Sequence, residues 1–302
     1  MGIPQGSVLG PLLFLFYVND LPSTSNLFST CLFCDDTTLI FESLCCNDLL
    51  ERCNVGLEIF SSWCIANRLS INISKTNFML FSNSIQVRNS NLEIRLNAEV
   101  LSQCSSVLFL GVVIDECLKF DKHIDRTVSK LSKSIGILYK LRSRVPYETL
   151  KSVYHSFIET YLNYCSIIFG NAYPSHLRSL VVAQKRCVRI IANENQYSHS
   201  DPIFSRLKLL KFAEIYKFKL GVYMFCNLHK FSLSSSVHEH STRFSEGNFL
   251  VPFQRLTLTR NQSVLCQAPS NWNTIPNLIK NCETLKSFKR QYKTYLMAVY
   301  SV

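Results

Sequence analysis

The chain has 302 residues, 47% hydrophobic and 18% charged, with a net charge of +11 at neutral pH. That apolar content is enough to bury a sizeable core and excludes a wholly disordered chain. Its thirteen cysteines form an odd, scattered set in a chain too large to need staples, which points to reduced thiols and no disulfide-linked partner.

Charge is spread unevenly. Residues 1–115 carry five Lys/Arg against ten Asp/Glu, whereas residues 116–302 carry twenty-seven against eleven, a net of −5 and +16. A basic half beside an acidic half suggests that the basic part holds phosphates, the simpler alternative being a solvated cationic surface.

After the turn-like Gly2-Ile3-Pro4-Gln5-Gly6, residues 7–21 are apolar on most faces, as in a buried helix. Residues 8–18 lack preceding basic residues and a small-residue cleavage site, and they are too short to span a bilayer. A soluble intracellular protein of nucleus or cytoplasm, with no membrane partner, is expected. Residues 31–34 and 37–41 are short β-prone runs around Asp35-Asp36 and predict a hairpin with the two carboxylates at its tip.

Residues 47–67 carry Leu50, Cys53, Leu57, Phe60 and Cys64 at helical spacing. Residues 69–73 and 78–81 read as strands around the turn Ser74-Lys75-Thr76, and 107–114 as a further apolar strand. From residue 121 to 145 a helix is predicted, with Ile124, Val128, Leu131, Ile135, Leu138 and Leu141 on one stripe. Lys122, Arg126, Lys130, Lys133, Lys140, Arg142 and Arg144 lie mostly off that stripe. Pro146 separates it from a helix at 147–170, and further helices are expected at 177–191, 202–228 and 284–300. Residues 232–236 read as a polar linker. The fold class is α+β, strands first and basic helices after.

Metal chemistry is suggested in three places. Cys31 and Cys34 form a C-x-x-C without a second pair, and Cys226-x-x-His229 with His238 and His240 has poor zinc spacing. Buried thiols explain the first better than a metal does. Asp35-Asp36 is the sharper feature. A tight turn can bring adjacent carboxylates toward one cation, as two-metal phosphoryl transfer requires. An ordinary polar turn is the competing reading.

Several motifs in fixed order weigh against that ordinary turn. Gly2-Ile3-Pro4-Gln5-Gly6-Ser7-Val8-Leu9-Gly10-Pro11, Tyr17-Val18-Asn19-Asp20-Leu21-Pro22 and Leu32-Phe33-Cys34-Asp35-Asp36 are followed by Trp63-Cys64-Ile65-Ala66-Asn67-Arg68-Leu69-Ser70. Then come Phe109-Leu110-Gly111-Val112-Val113-Ile114-Asp115 with His123-Ile124, Gln184-Lys185-Arg186, and Ser270-Asn271-Trp272-Asn273-Thr274-Ile275-Pro276 with Phe288-Lys289. Together they resemble the reverse transcriptases of non-LTR (LINE-type, jockey-like) retrotransposons over nearly the whole chain.

The resemblance implies an incomplete polymerase palm at 1–115, a helical thumb-like region at 116–231, and a C-terminal region at 232–302. It implies Asp35 and Asp36 as catalytic ligands of Mg²⁺. Pro4, Gln5, Gly6, Cys34 and Lys75 would lie near nucleotide and template, Cys34 standing where alanine is most usual. Leu110-Gly111 would be a primer grip, although a core strand with a glycine kink explains those residues as well. The cations of 122–144 would track the nucleic-acid backbone. RNA template, DNA primer and deoxynucleoside triphosphates are the implied partners.

In that family a third metal carboxylate lies upstream of the Pro-Gln-Gly element, whereas here Met1 directly precedes Gly2-Ile3-Pro4. The expectation is therefore weak Mg²⁺ binding, no polymerase activity in the isolated chain and poor folding of its first hundred residues. A truncated element copy, the tail of a longer polyprotein, and a non-enzymatic RNA- or DNA-binding module on the basic helices are the readings carried forward.

Overall fold

Short apolar runs between polar turns give the first part of the chain its strands, while long stripes at three- and four-residue spacing give the rest its helices. The structure, a computed structural model, describes residues 6–90, 92–233, 248–252 and 263–298. It divides into two units, Met1–Val107 and Leu108–Val302.

The first unit begins with helix α1 (Leu9–Val18), followed by strands β1 (Ser29–Phe33) and β2 (Asp36–Ile40) and helix α2 (Cys46–Ala66). Strand β3 (Asn77–Phe78), the single-turn α3 (Ile85–Arg88), β4 (Arg95–Leu96), β5 (Glu99–Val100) and β6 (Ser102–Gln103) complete it. β1 and β2 are antiparallel from Ser29↔Ile40 to Phe33↔Asp36, β4 pairs antiparallel with β5, and β3 runs parallel to β6. Cys53 and Leu57 of α2 pack with Ile94, Leu96 and Leu101 in a small core. Gly56 lets α2 close onto this face, because a Cβ there would stand 2.5 Å from Phe41 Cε1.

Two expectations change here. α1 is not a buried helix: Leu9 is 60% and Phe16 71% exposed, and only Val18 is buried. Its residues are apolar on every face, so contact along one side leaves the others in solvent. The Tyr17 hydroxyl donates to Asn67 O, and Trp63 Nε1 donates to Asp20 Oδ2 over 3.3 Å. Residues 69–72 form no strand, and of 78–81 only Phe78 is in one. Local bonds take the place of the ladder. Asn72 O accepts from Lys75 N and Thr76 Oγ1, while Ser74 Oγ donates to Asn72 Oδ1.

Residues 107–114 are likewise not one strand. They divide between β7 (Ser106–Phe109) and β8 (Val112–Asp115), which form a two-stranded sheet turned at Leu110-Gly111. Helix α4 (Asp121–Leu141) follows and ends with the last residue of its stripe, four residues short of the predicted 145. Ile124, Leu131, Ile135 and Leu138 are buried as expected.

The predicted helix 147–170 is four pieces: α5 (Tyr147–Val153), a π-helical segment (Tyr154–Glu159), α6 (Thr160–Asn163) and α7 (Ser166–Phe169). Cys165 breaks the run with φ 51°, a left-handed conformation that costs a residue other than glycine. α8 (Pro174–Ile191) packs along α4. α9 (Ser200–Leu207) and α10 (Phe212–Asn227) replace one predicted helix, separated where Lys208 takes φ 55°. Of the predicted linker 232–236, residues 234–236 lie outside the described residues.

The last helices are α11 (Val264–Asn273), α12 (Asn277–Lys280) and α13 (Leu285–Ala298). They close over α10 through aromatic stacking: Phe288 lies 4.7 Å from Phe225 and 5.6 Å from Trp272, ring to ring. Asn273 pairs both amide atoms with the backbone of Phe249, and Asn271 Nδ2 donates to Lys217 O. The 270–276 motif is therefore a packing junction of the second unit.

All thirteen cysteines are free. Burial pushes the Cys187 thiol up to about 12 and that of Cys53 up to about 11, so both stay protonated and inert. Among the described residues, no helix is long and apolar enough to cross a membrane.

Candidate metal turn and nucleic-acid interface

The β1–β2 hairpin turns one residue earlier than the sequence suggested. Cys34 and Asp35 form its two-residue tip, and Asp36 is the first residue of β2, opposite Phe33. Cys34 takes φ 52° at the first tip position, where hairpin turns favour Gly, Asn or Asp. Asp35 and Asp36 are both exposed. The pair is therefore held by a strand pairing on one side and a tight turn on the other, with its carboxylates in water.

Adjacent carboxylates are hard oxygen donors of the type Mg²⁺ prefers. Donor type fits, and the pair supplies part of the oxygen shell such an ion takes. Among the described residues no group of three or more His, Cys, Asp or Glu comes together to hold a metal ion. Asp20, the acidic residue preceding the hairpin, accepts from Trp63 Nε1. Cys226 and His229 are exposed, and His238 and His240 lie outside the described residues.

Pro4 and Gln5 also lie outside the described residues. Gly6 takes φ 86° with open space around a built Cβ, so backbone conformation alone explains glycine there. Lys75 ends a 3₁₀ turn, Ile73–Lys75, and is exposed.

In the second unit, Leu110 and Gly111 form a two-residue turn with φ 44° and 84°, both positive as type I′ hairpins require. The Tyr164 hydroxyl donates to Leu110 O, and a Cβ on Gly111 would stand 3.3 Å from the Tyr164 ring. Tyr164 thus fastens the turn, which sequence reading did not anticipate.

Lys122, Arg126, Lys130, Lys133 and Lys140 are exposed on α4. At 3.6 residues per turn they fall within an arc of roughly 80°, opposite the buried stripe. Arg142 caps the helix with its guanidinium 4.9 Å from the Tyr139 ring, and Arg144 lies beyond the helix end. Lys130 Nζ sits 5.4 Å from the Tyr161 ring centre. The structure therefore gathers five of the seven predicted cations into one ridge.

Two side chains set this ridge in place. The buried Asp115 carboxylate accepts from Cys117 N (3.0 Å), Lys119 N (3.1 Å) and Phe120 N (2.8 Å) directly before α4. His123, buried in the first turn of α4, accepts at Nδ1 from Val113 N over 3.3 Å and meets the Phe169 ring edge-on. Burial holds its pKa below the usual 6.5, and the Lys130 and Arg126 charges lower it further.

His123 has a pH consequence. Its folded-state pKa is the lower one, so its contribution is complete above pH 6.5 and is lost as pH falls from there through the folded value. Thermal melts from pH 8 to 5 are expected to show a fall in midpoint below about 6.5, and H123Q should flatten it.

Residues 1–114 match the family described as Reverse transcriptase (RNA-dependent DNA polymerase). The chain is 26% identical, over 78% of its length, to the probable RNA-directed DNA polymerase from transposon X-element of Drosophila melanogaster. It is 26% identical over 70% to the RNA-directed DNA polymerase from mobile element jockey of Drosophila funebris. It is 29% identical over 69% to the probable RNA-directed DNA polymerase from transposon BS of Drosophila melanogaster. The chain spans 27%, 24% and 24% of the lengths of those three relatives. No solved structure matches. Residues 1–114 thus carry a reverse-transcriptase segment, and the chain as a whole is similar to the RNA-directed DNA polymerases of non-LTR, LINE-type mobile elements.

Proposed function

We propose that the chain is the part of an RNA-directed DNA polymerase that carries the metal turn and the template–primer grip. Residues 1–115 serve as part of the palm, 116–231 as a thumb and 232–302 as a C-terminal region. The observation that carries this is the cation ridge of α4, seated by Asp115 and His123 in a segment related to mobile-element polymerases. Its Lys and Arg side chains face solvent while the opposite side is packed, the arrangement that holds a nucleic-acid backbone.

The proposed ligands are an RNA template and DNA primer, with deoxynucleoside triphosphates at the metal turn and a nuclear or cytoplasmic setting. Asp35 and Asp36 are the proposed ligands of a divalent ion, which when bound stabilises charge in phosphoryl transfer. Pro4, Gln5, Gly6, Cys34 and Lys75 are the proposed neighbours of nucleotide and template, and Leu110-Gly111 of the primer end. Two carboxylates supply part of an octahedral oxygen shell, the rest falling to water and substrate phosphate. The 302-residue chain alone is expected to give no primer extension; synthesis above a no-protein background would overturn that.

Binding is the direct test. Five cations on phosphates give a slope of about −4 in log K against log salt for an RNA–DNA hybrid. K130Q and K133Q are each expected to reduce that slope by about 1. Affinity that does not change with salt would sink the proposal. The non-enzymatic reading, a binding module on the basic helices, predicts the same slope but indifference to D35N and D36N in any complemented polymerase assay.

A further inference from the structure

The helical run after α5 buries Tyr154, Ile158 and Leu162 at a strict four-residue spacing. An α-helix of 3.6 residues per turn would rotate that series out of line, and the wider π turn over Tyr154–Glu159 keeps it facing the core. Phe157 and Tyr164 are each 50% exposed, and the half-buried Tyr161 between them packs against the core and carries Lys130 over its ring. Glu159, in the same segment, is engaged by His155 Nδ1. Tyr164 is fixed at the helix break before Cys165 by its bonds to the Leu110-Gly111 turn.

Single exposed aromatics are ordinary on a protein surface. Two that flank a ring lying beneath a cation of a basic ridge, one of them fastened to a turn, are a different arrangement. Flat π-faces beside Lys and Arg match the two halves of a nucleotide, base and phosphate. In a paired duplex the base faces are hidden in the stack, so aromatic faces of this kind have use only for unpaired bases. An acidic peptide would use the cations but not the series of flat rings.

We propose that Phe157 and Tyr164, on either side of the Lys130–Tyr161 pair, form a stacking platform for a single-stranded stretch of nucleic acid, with its phosphates on Arg126, Lys130 and Lys133. This rests on the reading of α4 as a nucleic-acid grip and adds an unpaired strand as a distinct ligand. The test uses the whole chain, a fluorescein-labelled single-stranded RNA of twelve nucleotides, and a fully paired RNA–DNA hybrid of equal length. F157A is expected to weaken single-strand binding about tenfold at unchanged salt slope, with hybrid binding within about twofold. Y164F, which keeps the ring and loses the hydroxyl, should lose less than Y164A.

Equal losses on both ligands, or none on the single strand, would overturn the platform while leaving the grip intact. Failure of the unsubstituted chain to bind either ligand at low salt would overturn both. Binding of a poly-glutamate peptide with the same sensitivity to F157A would mark a protein-docking face instead.

Discussion

Replacing Asp115 with alanine is expected to destabilise the second unit by about 3–4 kcal/mol, since three backbone N–H groups lose a charged acceptor at once. Phe120 N is not readily rescued by water, because Asp115 and Phe120 are both buried. The segment they hold is also conformationally costly: Leu118 and Phe120 take φ 53° and 59°. In a unit of this size the thermal midpoint should fall by about 6–16 °C. D115N keeps one accepting oxygen and should lose roughly half as much. A midpoint for D115A within about 2 °C of the unsubstituted chain would show that the loop holds itself. Binding should weaken alongside stability, because the carboxylate fixes the start of the helix that carries the ridge.

Gln184 carries the second large effect. It is 1% exposed, and its amide makes three bonds of 2.9 Å: Nε2 to Tyr154 OH and Leu210 O, and Oε1 from Phe212 N. Phe212 N belongs to the first residue of α10, one of the donors that a helix start leaves without a partner in its own helix. Gln184→Leu keeps most of the volume and removes all three bonds. A loss of about 3 kcal/mol is expected from denaturant unfolding, with two backbone groups left unsatisfied in the core. Tyr154→Phe removes only one bond and should cost about 1 kcal/mol. Equal costs for the two substitutions would place the stabilisation in the tyrosine instead.

Gln184 also shows where sequence reading stops. It was picked out as part of a Gln-Lys-Arg motif, yet the chain around it gives no sign that its partners lie at Tyr154, Leu210 and Phe212. α2 and α4 were legible because their buried residues repeat at helical spacing within one element. The hairpin was legible too, but not its tip: placing Cys34 at positive φ moves the turn by one residue, and cysteine carries no turn signal. The break at Cys165 went unread for the same reason, and the π segment shares the apolar spacing of the helix it interrupts.

Within 107–114, Gly111 was the only cue to a turn, because Leu110 fills a position that Asn or Asp usually occupies. Exposure of α1 was unreadable for another reason. A run apolar on all faces states what it would bury, not what is available to cover it. The carboxylate pair and the basic ridge were legible by residue type. Tyr161 and Tyr164, which set cations and turn in position, were not.

The ridge on α4 also has a length. From Lys122 to Lys140 the helix rises by about 27 Å at 1.5 Å per residue. Phosphates along one strand of a duplex are spaced by about 3.4 Å of axial rise, so the ridge reaches alongside about eight of them. That figure acts as a ruler built into the protein. An oligonucleotide much shorter than eight nucleotides leaves cations at one end idle, whereas lengthening it past that point adds no further contact with this helix.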